Sequence, residues 1–274
     1  MTNVAKTIKY LAMALAIFLA ISIISTLCYG VVLLGNVVSN DNSKINDKDN
    51  IRIENSVQLT SLEIMKEMDI DVKRVNIYIK YDDNFGVSTT NKYIKGRIQD
   101  NKLYIYEVDH SVIDKYEGDL YIFIPFGYIF DEVDIDNNAG RVEIDGLKTG
   151  ELSLELGAGK VNMSNIEVYE KMDINGGAGS IKIDNASIND LDMDMGAGKT
   201  QISGYLKGNN KIDAGVGALI LELFDDDYKI SVDKGIGKAT YNGQDINSNE
   251  VYGNGYNNVI IDGGIGSIKI STKR

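Results

Sequence analysis

Apolar and polar residues alternate with period two over the C-terminal half of the chain, in a unit that recurs seven times. Leu152 to Ile166 is a representative copy, with the tripeptide Gly157-Ala158-Gly159 at its centre. Successive centres lie 19, 20, 19, 19, 20 and 29 residues apart, so only the last interval carries an insertion. A fixed period in this range is typical of repeat architectures. The centres, numbered here as rungs 1 to 7 in chain order, are Ala139, Ala158, Ala178, Ala197, Val216, Ile236 and Ile265.

The apolar positions of each unit change parity at the centre. They fall six and four residues before it and three and five residues after it, with Asn210 as the polar exception at position −6. Each half therefore predicts a half-buried strand rather than a helix. A glycine at +1 in every copy permits the change, because glycine can take positive φ or form a bulge without a Cβ penalty. We expect structural corners at Gly140, Gly159, Gly179, Gly198, Gly217, Gly237 and Gly266.

A pair of short strands cannot bury its apolar side alone, so successive copies are expected to stack on one another. The predicted fold class is all-β, with residues 131–274 forming a β-solenoid of about seven Gly-x-Gly rungs. A calcium-binding nonapeptide roll is excluded by two features. Its repeat is about half as long, and it requires an Asp where rung 3 has Ile181.

The N-terminal part of the chain predicts a membrane anchor. No charged residue occurs from Tyr10 to Val38, and about 20 apolar residues suffice for a spanning helix. A cleaved signal peptide is the alternative, although its apolar region is usually shorter. We therefore expect a tail at 1–9, one transmembrane α-helix at 10–38, a polar linker at 39–50 and a single-pass protein of the cell membrane. The short tail is easy to leave inside, which favours an extracytoplasmic C-terminal domain.

Residues 51–130 alternate like strands but lack the glycine repeat, and we expect them to form the N-terminal cap and opening coils of the same solenoid. The clearest segments are Arg74 to Tyr81, Lys102 to Val108 and Asp119 to Ile124. They are rich in tyrosine, which is typical of cross-strand pairs on a half-buried sheet. A sugar-binding face is the alternative interpretation of the same tyrosines.

Charge narrows the classes of partner. The chain has a net charge of −12, and Lys6 and Lys9 are the only charged residues before the linker. An acidic body argues against binding to nucleic acid. The single cysteine, Cys28, excludes an intramolecular disulfide.

One polar column is as regular as the core. Three residues before the centre, six of the seven copies carry a carboxylate, and four copies carry a basic residue at +2, across the glycine corner. We expect these bases to offset the repulsion between stacked carboxylates. The column is either a solvated ladder that fixes register or a strip that binds cations or sugars. Its carboxylates are Asp136, Glu155, Asp194, Asp213, Asp233 and Asp262.

The sequence predicts no enzyme, cofactor or metal site. Nucleophile–histidine chemistry has only His110 to draw on, and a zinc site needs several His or Cys ligands. The one irregular acidic cluster, Asp225 to Asp227, falls where a turn is expected. The insertion at 243–258 is either a binding loop or a neutral extension.

Taken together, the N-terminal span, the tyrosine-rich strands, residues 122–147 around Pro125 and the Gly-Ala-Gly units resemble the bacterial putative-adhesin family. This is a domain-of-unknown-function family of β-strand-repeat proteins. The resemblance covers roughly residues 55–274 and implies a β-solenoid-like ectodomain on the bacterial cell envelope, without catalytic residues to carry over.

Three functions follow as hypotheses. The first is a membrane-anchored, non-catalytic interaction module of the cell envelope, adhesin-like, with a protein or glycan partner. The second is an accessory or regulatory protein of an envelope-stress system, a role that relatives suggest. The third is a carbohydrate-active β-helix enzyme, which the regular acidic column disfavours.

Overall fold

The computed structural model describes residues 50–51, 57–58, 65–108 and 118–273, and every regular element in them is a strand of one 15-stranded sheet. The predicted span at 10–38, Cys28, His110 and linker residues 39–49 lie outside the described residues. Asn50, the last residue assigned to the linker, belongs to the first strand.

The strands fall into three groups along the chain. The N-terminal group consists of β1 (Asn50–Ile51), β2 (Val57–Gln58), β3 (Glu67–Asp82), β4 (Gly86–Thr89), β5 (Ile94–Gln99), β6 (Lys102–Glu107) and β7 (Gly118–Pro125). The central group, which contains rungs 1 to 5, consists of β8 (Phe130–Asn189), β9 (Leu191–Lys207) and β10 (Asn209–Leu223). The C-terminal group consists of β11 (Tyr228–Asp233), β12 (Ile236–Tyr241), β13 (Gln244–Asp245), β14 (Val251–Tyr252) and β15 (Asn257–Thr272). The prediction of an all-β, solenoid-like repeat is confirmed.

Rungs 1 to 3 have three sides, and the two alternating strands that the sequence predicted around the glycine corner account for two of them. The positions −6 and −4 line the core from the first side, and +3 and +5 line it from the second. A second corner follows at +7, where Gly146, Asn165 and Asn185 have φ of 92°, 57° and 52°. Glycine and asparagine tolerate this left-handed region better than other residues. The third side then buries Leu147, Thr149, Ile166, Val168, Ala186 and Ile188.

The glycines at +1 form a ladder along the first corner. Their φ values lie between 134° and 158°. A Cβ on Gly159 would stand 1.8 Å from the carbonyl oxygen of Gly140, and the same clash recurs at each higher rung. Rungs can therefore stack at normal sheet spacing only if this column has no side chains.

The last two rungs do not stack in chain order. β15, which is rung 7, pairs in parallel with β10 of rung 5 on one side and with β11 and β12 of rung 6 on the other. The order in space is therefore 1-2-3-4-5-7-6, and the sequential stacking expected from the repeat is wrong at this end. Rung 6 therefore lies one place away from rung 5, and rung 7 lies between them.

The N-terminal end is arranged in the same way. β3 is a further rung that pairs with β8, with Ile70 beside Ile135 and Ile77 beside Val142. β6 and β7 pair in parallel with the other edge of β3, although they follow it in the chain. At both ends the stacking order therefore differs from the chain order. β6 and β7 lie outside β3, which precedes them in the chain, and β11 and β12 lie outside β15, which follows them. The strands β3 and β15 are each enclosed between two neighbours.

Short antiparallel strands cover both outer rungs. β5 pairs with β6 and β4 with β7 at one end, while β14 pairs with β11 and β13 with β12 at the other. Exposed parallel edges would offer unpaired N–H and C=O groups to other chains. These antiparallel strands satisfy part of each edge and end the repeat.

Candidate interaction surface

The carboxylates at −3 form one continuous column on the outer face of the first side. Register places Asp71 of β3 beside Asp136, Asp194 beside Asp213, and Asp262 between Asp213 and Asp233. The order in space follows the stack, so the chain order of the last two members is exchanged. From the N-terminal end the column reads Asp71, Asp136, Glu155, Asn175, Asp194, Asp213, Asp262 and Asp233.

The carboxyl groups of this column lie close enough together to shift one another's pKa values. A hydrogen bond with Asp213 is the main cause that raises the pKa of Asp194, followed by burial. The pKa of Asp213 is lowered, chiefly because the Lys211 ammonium donates a hydrogen bond to it at 3.0 Å. Burial, followed by the charges of Asp71 and Glu155, raises the pKa of Asp136. The Lys211 ammonium, on the same strand as Asp213, therefore offsets part of the repulsion within the column.

A second acidic cluster lies at the N-terminal end of the same face. The Lys102 ammonium lies 3.5 Å from a Glu67 carboxylate oxygen and 3.6 Å from those of Asp69 and Asp134. A hydrogen bond with Asp134, and then burial, raises the pKa of Glu132 to about 7. Sequence reasoning missed this cluster because β3 lacks the glycine tripeptide, although the Asp69-x-Asp71 spacing repeats in Asp134-x-Asp136.

The basic residues at +2 do not pair with the acidic column, which corrects the expectation of offset charges across the corner. Arg141 lies 3.3 Å from Glu143, and Lys238 lies 2.9 Å from Asp245. Among the described residues, no ion pair joins the two columns. The corner separates them, because positions −3 and +2 lie on the outer faces of two different sides of the solenoid.

The centre column runs between these two columns as an exposed ridge. In rungs 1 to 4 its side chain is a methyl group, with glycine on at least one side. In the next three rungs of the stack it is apolar and large, with exposed fractions of 49% for Val216, 37% for Ile265 and 53% for Ile236. Register places Ile265 directly between the other two.

The insertion at 243–258 covers the outer edge of rung 6. The Ile246 amide donates to the Ala239 carbonyl at 3.1 Å, and the Asn249 amide donates to the Val232 carbonyl at 3.0 Å. The Ile246 side chain is buried. The segment therefore has a structural role as a cap, which neither alternative from the sequence anticipated.

The irregular acidic cluster also supports this end of the fold. Asp225 accepts a hydrogen bond from the Asp227 amide at 3.1 Å, and Asp227 accepts one from the Tyr256 amide at 3.0 Å. The next residue, Tyr228, is buried and accepts from the Leu206 amide, and burial raises its pKa to about 12. These contacts tie the turn after β10 to the cap.

The tyrosines of the N-terminal region include one clear cross-strand pair. Tyr78 and Tyr121 lie in register on β3 and β7, with ring centroids 4.9 Å apart and ring planes 13° from parallel. The Lys80 ammonium lies 5.7 Å from the centroid of Tyr78. This pair stabilises the packing of β7 on β3.

The described residues offer neither a metal site nor a membrane-spanning helix. Within them, no group of three or more His, Cys, Asp or Glu side chains is arranged to hold a metal ion. No helix in this part of the chain has the length and apolar composition needed to cross a membrane.

The chain is similar to one known protein family and to proteins of known structure. The profile of the Toastrack DUF4097 family matches residues 65–242. The crystal structure of a putative cell adhesion protein from Clostridium sporogenes is 18% identical with a TM-score of 0.35, covering 80% of this chain and 98% of that one. A putative adhesin from Bacteroides fragilis is 14% identical with a TM-score of 0.36, covering 81% and 97%. A search of curated proteins found no match.

Proposed function

Because the chain belongs to the Toastrack DUF4097 family, as its resemblance to a domain-of-unknown-function family predicted, we propose that it is a membrane-anchored interaction module of the cell envelope. In this proposal, residues 10–38 span the membrane once and the β-solenoid lies outside the cytoplasm. The solenoid binds a protein or glycan partner through its outer faces, as an adhesin does, and catalyses no reaction.

The observation that carries the proposal is the regular presentation of outer side chains. Every rung places an apolar residue at the centre, six of the seven place a carboxylate at −3, and four place a base at +2. Stacked rungs repeat this chemistry about every 4.8 Å. Catalysis needs a single constellation of different groups, whereas repeated columns suit recognition of an extended partner.

The anchor is supported by the uncharged run from Tyr10 to Val38, which exceeds the length that a bilayer core requires. The acidic character of the remaining chain suits a solvated domain away from anionic lipid.

Cysteine labelling tests the proposed topology. In a Cys28→Ser background, one variant carries Lys207→Cys, an exposed position on the solenoid, and its control carries Thr2→Cys in the tail. Intact cells are treated with a membrane-impermeant maleimide. We expect labelling of the solenoid cysteine on intact cells and of the tail cysteine only after lysis. The reverse pattern would place the solenoid in the cytoplasm and overturn the proposal.

A binding measurement tests the interaction role. Cells that express the full chain are compared with cells that lack it for attachment to surfaces coated with matrix proteins or glycans. We expect attachment to at least one class of coating to rise several-fold with the full chain. Equal attachment to every coating would contradict adhesion, whatever the labelling result.

A further inference from the structure

The ridge of centre residues exposes large apolar side chains to water, and their exposed parts contribute no burial energy to the monomer. Val216, Ile265 and Ile236 follow one another in register and are 37–53% exposed. Contiguous exposed apolar side chains with a polar rim are typical of interaction sites. We propose that this ridge packs against the same ridge of a second copy of the chain, forming a parallel two-fold dimer.

The flanking charges identify the second copy as the partner. On one flank of the ridge stand the −3 residues, and on the other stand the +2 residues. In four of the seven rungs the two flanks carry opposite charges at the same height in the stack, whereas in rungs 5 and 7 Asp213 and Asp262 stand at the height of the uncharged Ala218 and Ser267. The four charged combinations are Asp136 with Arg141, Glu155 with Lys160, Asp194 with Lys199, and Asp233 with Lys238; rung 3 combines neutral Asn175 with neutral Ser180.

The described chain does not use this complementarity internally. Arg141 and Lys238 have ion pairs with Glu143 and Asp245, and no ion pair among the described residues involves Lys160 or Lys199. All four of Glu155, Lys160, Asp194 and Lys199 are exposed. The opposite charges of these side chains are therefore free to form ion pairs with a neighbouring molecule.

Only one two-fold arrangement matches the signs. A rotation of 180° about an axis parallel to the stack brings the −3 flank of each copy opposite the +2 flank of the other, at equal height. Glu155 of one copy then faces Lys160 of its partner, and Asp194 faces Lys199. A two-fold axis perpendicular to the stack would instead place the acidic flanks opposite each other, where like charges repel. A closed two-fold assembly is also the commonest form of homo-oligomer.

The shape of the ridge permits the approach. In rungs 2 to 4 the centre residues Ala158, Ala178 and Ala197 lie between glycines, so no larger side chain separates two copies there. The seven centres span about 29 Å along the stack, and the chain from −3 to +2 is about 17 Å long, although the corner makes the width that faces a partner smaller. The interface is therefore at most about 500 Å² from each copy, in the range of weak and transient interfaces, so the expected dimer is weak and reversible.

Parallel packing is compatible with the proposed anchor, because both copies then begin from the same side. Confinement of two copies to one membrane would also raise their effective concentration. The dimer itself does not depend on the anchor and is tested separately from topology and adhesion.

A charge-swap experiment tests the arrangement. One full-length variant combines Glu155→Lys with Asp194→Lys, which makes both flanks positive at rungs 2 and 4. The other combines Lys160→Glu with Lys199→Glu, which makes both flanks negative at the same rungs. Chains with two different affinity tags are co-expressed, extracted in mild detergent and isolated through one tag.

We expect wild-type chains to co-isolate, each variant to lose at least fivefold of that yield with itself, and the two variants to recover it with each other. This recovery distinguishes a parallel homodimer from any other partner and from misfolding. Absence of co-isolation in the wild type, or equal yields in all combinations, would overturn the proposal.

A cysteine at the centre of the ridge gives an independent readout in membranes. In the Cys28→Ser background, two Ala178→Cys residues related by the two-fold axis would lie within disulfide reach. Lys207→Cys, exposed on another side, is the matched control. We expect a disulfide-linked dimer on oxidation for Ala178→Cys and at least fivefold less for the control. Equal crosslinking of both would contradict the ridge contact.

Discussion

Gly266 of rung 7 lies directly against Gly217 of rung 5, so that a Cβ on Gly266 would come within 1.7 Å of the Gly217 carbonyl oxygen. Gly237 of rung 6, which lies between them in the chain, packs instead on the far side of Gly266. This exchange encloses the last strand of the chain between two neighbours. It also brings Val216, Ile265 and Ile236 together in the order on which the proposed dimer depends.

The glycine ladder predicts opposite outcomes for two adjacent substitutions. A Cβ on Gly177 would stand 1.7 Å from the Gly157 carbonyl oxygen, which cannot move without separating the rungs. A Cβ on Gly176 would meet the flexible end of Ile181 at 3.1 Å and the Asp194 carbonyl oxygen at 3.3 Å, beside a cavity of about 30 Å³, so small shifts can accommodate it. We expect Gly177→Ala to lower the free energy of unfolding by about 2 kcal/mol or more. Gly176→Ala should leave it unchanged or raise it by about 0.5 kcal/mol.

Chemical denaturation of both variants measures the difference, and each serves as the control for the other. Both variants replace a glycine by alanine at adjacent positions, so only the contact with the neighbouring rung distinguishes them. Similar losses of stability in both would therefore contradict the glycine ladder.

Asn210 is the one polar residue in the apolar column at −6, and we expect its replacement by an apolar residue, as in the other rungs, to lower the stability of the fold. Its side chain accepts from the Leu191 amide at 3.1 Å and donates to the carbonyls of Lys207 and Asn258 at 3.2 and 3.0 Å. Replacement by leucine would leave three backbone groups without this partner in a buried site. We expect Asn210→Leu to destabilise the fold by about 2–4 kcal/mol in a denaturant titration. A gain in stability would show that the apolar column, not these hydrogen bonds, governs the position.

The protonation of Glu132 predicts a specific dependence of stability on pH. Its pKa is raised from 4.5 to about 7, chiefly by the hydrogen bond with Asp134 and then by burial. The folded state therefore holds this proton more tightly than the unfolded chain. The resulting stabilisation is complete below about pH 4.5 and is lost as the pH rises through about 7.

Glu132→Gln, which mimics the protonated side chain, isolates this contribution. Between about pH 5 and about pH 8, we expect Tm to fall further for the wild type than for the variant. Groups with lowered pKa values, such as Asp213 and Glu167, affect both proteins equally, so the difference between them is the readout. Parallel curves for the two proteins would contradict the raised pKa of Glu132.

The inward columns and the first corner could be predicted from the sequence, because they repeat in every copy. The second corner could also have been found, since Gly146, Asn165 and Asn185 share one position and tolerate positive φ. The stacking order could not. Apart from Asn210 at −6 of rung 5, rungs 5, 6 and 7 present the same apolar inward pattern, and Asn210 bonds to backbone carbonyls, which every rung offers. The periodic residues therefore do not specify which of these rungs pack on each other.

The site could be predicted only in part. The acidic column was evident, but the idea that +2 bases neutralise it assumed that both columns lie on one face. The glycine corner lies between them, and this separation is a property of the folded backbone. The cap formed by 243–258 was hidden for a different reason, because its contacts with Val232 and Ala239 use backbone groups.

The stacking order is the claim on which the ridge, the caps and the dimer all rest, and a pair of engineered disulfides tests it. Ala218 and Ser267 lie in register on adjacent strands, as do Ser267 and Lys238, whereas rung 7 separates Ala218 from Lys238. In the Cys28→Ser background, the account predicts an intramolecular disulfide in Ala218→Cys/Ser267→Cys and none in Ala218→Cys/Lys238→Cys. Efficient closure of the second pair and failure of the first would show that the rungs stack in chain order.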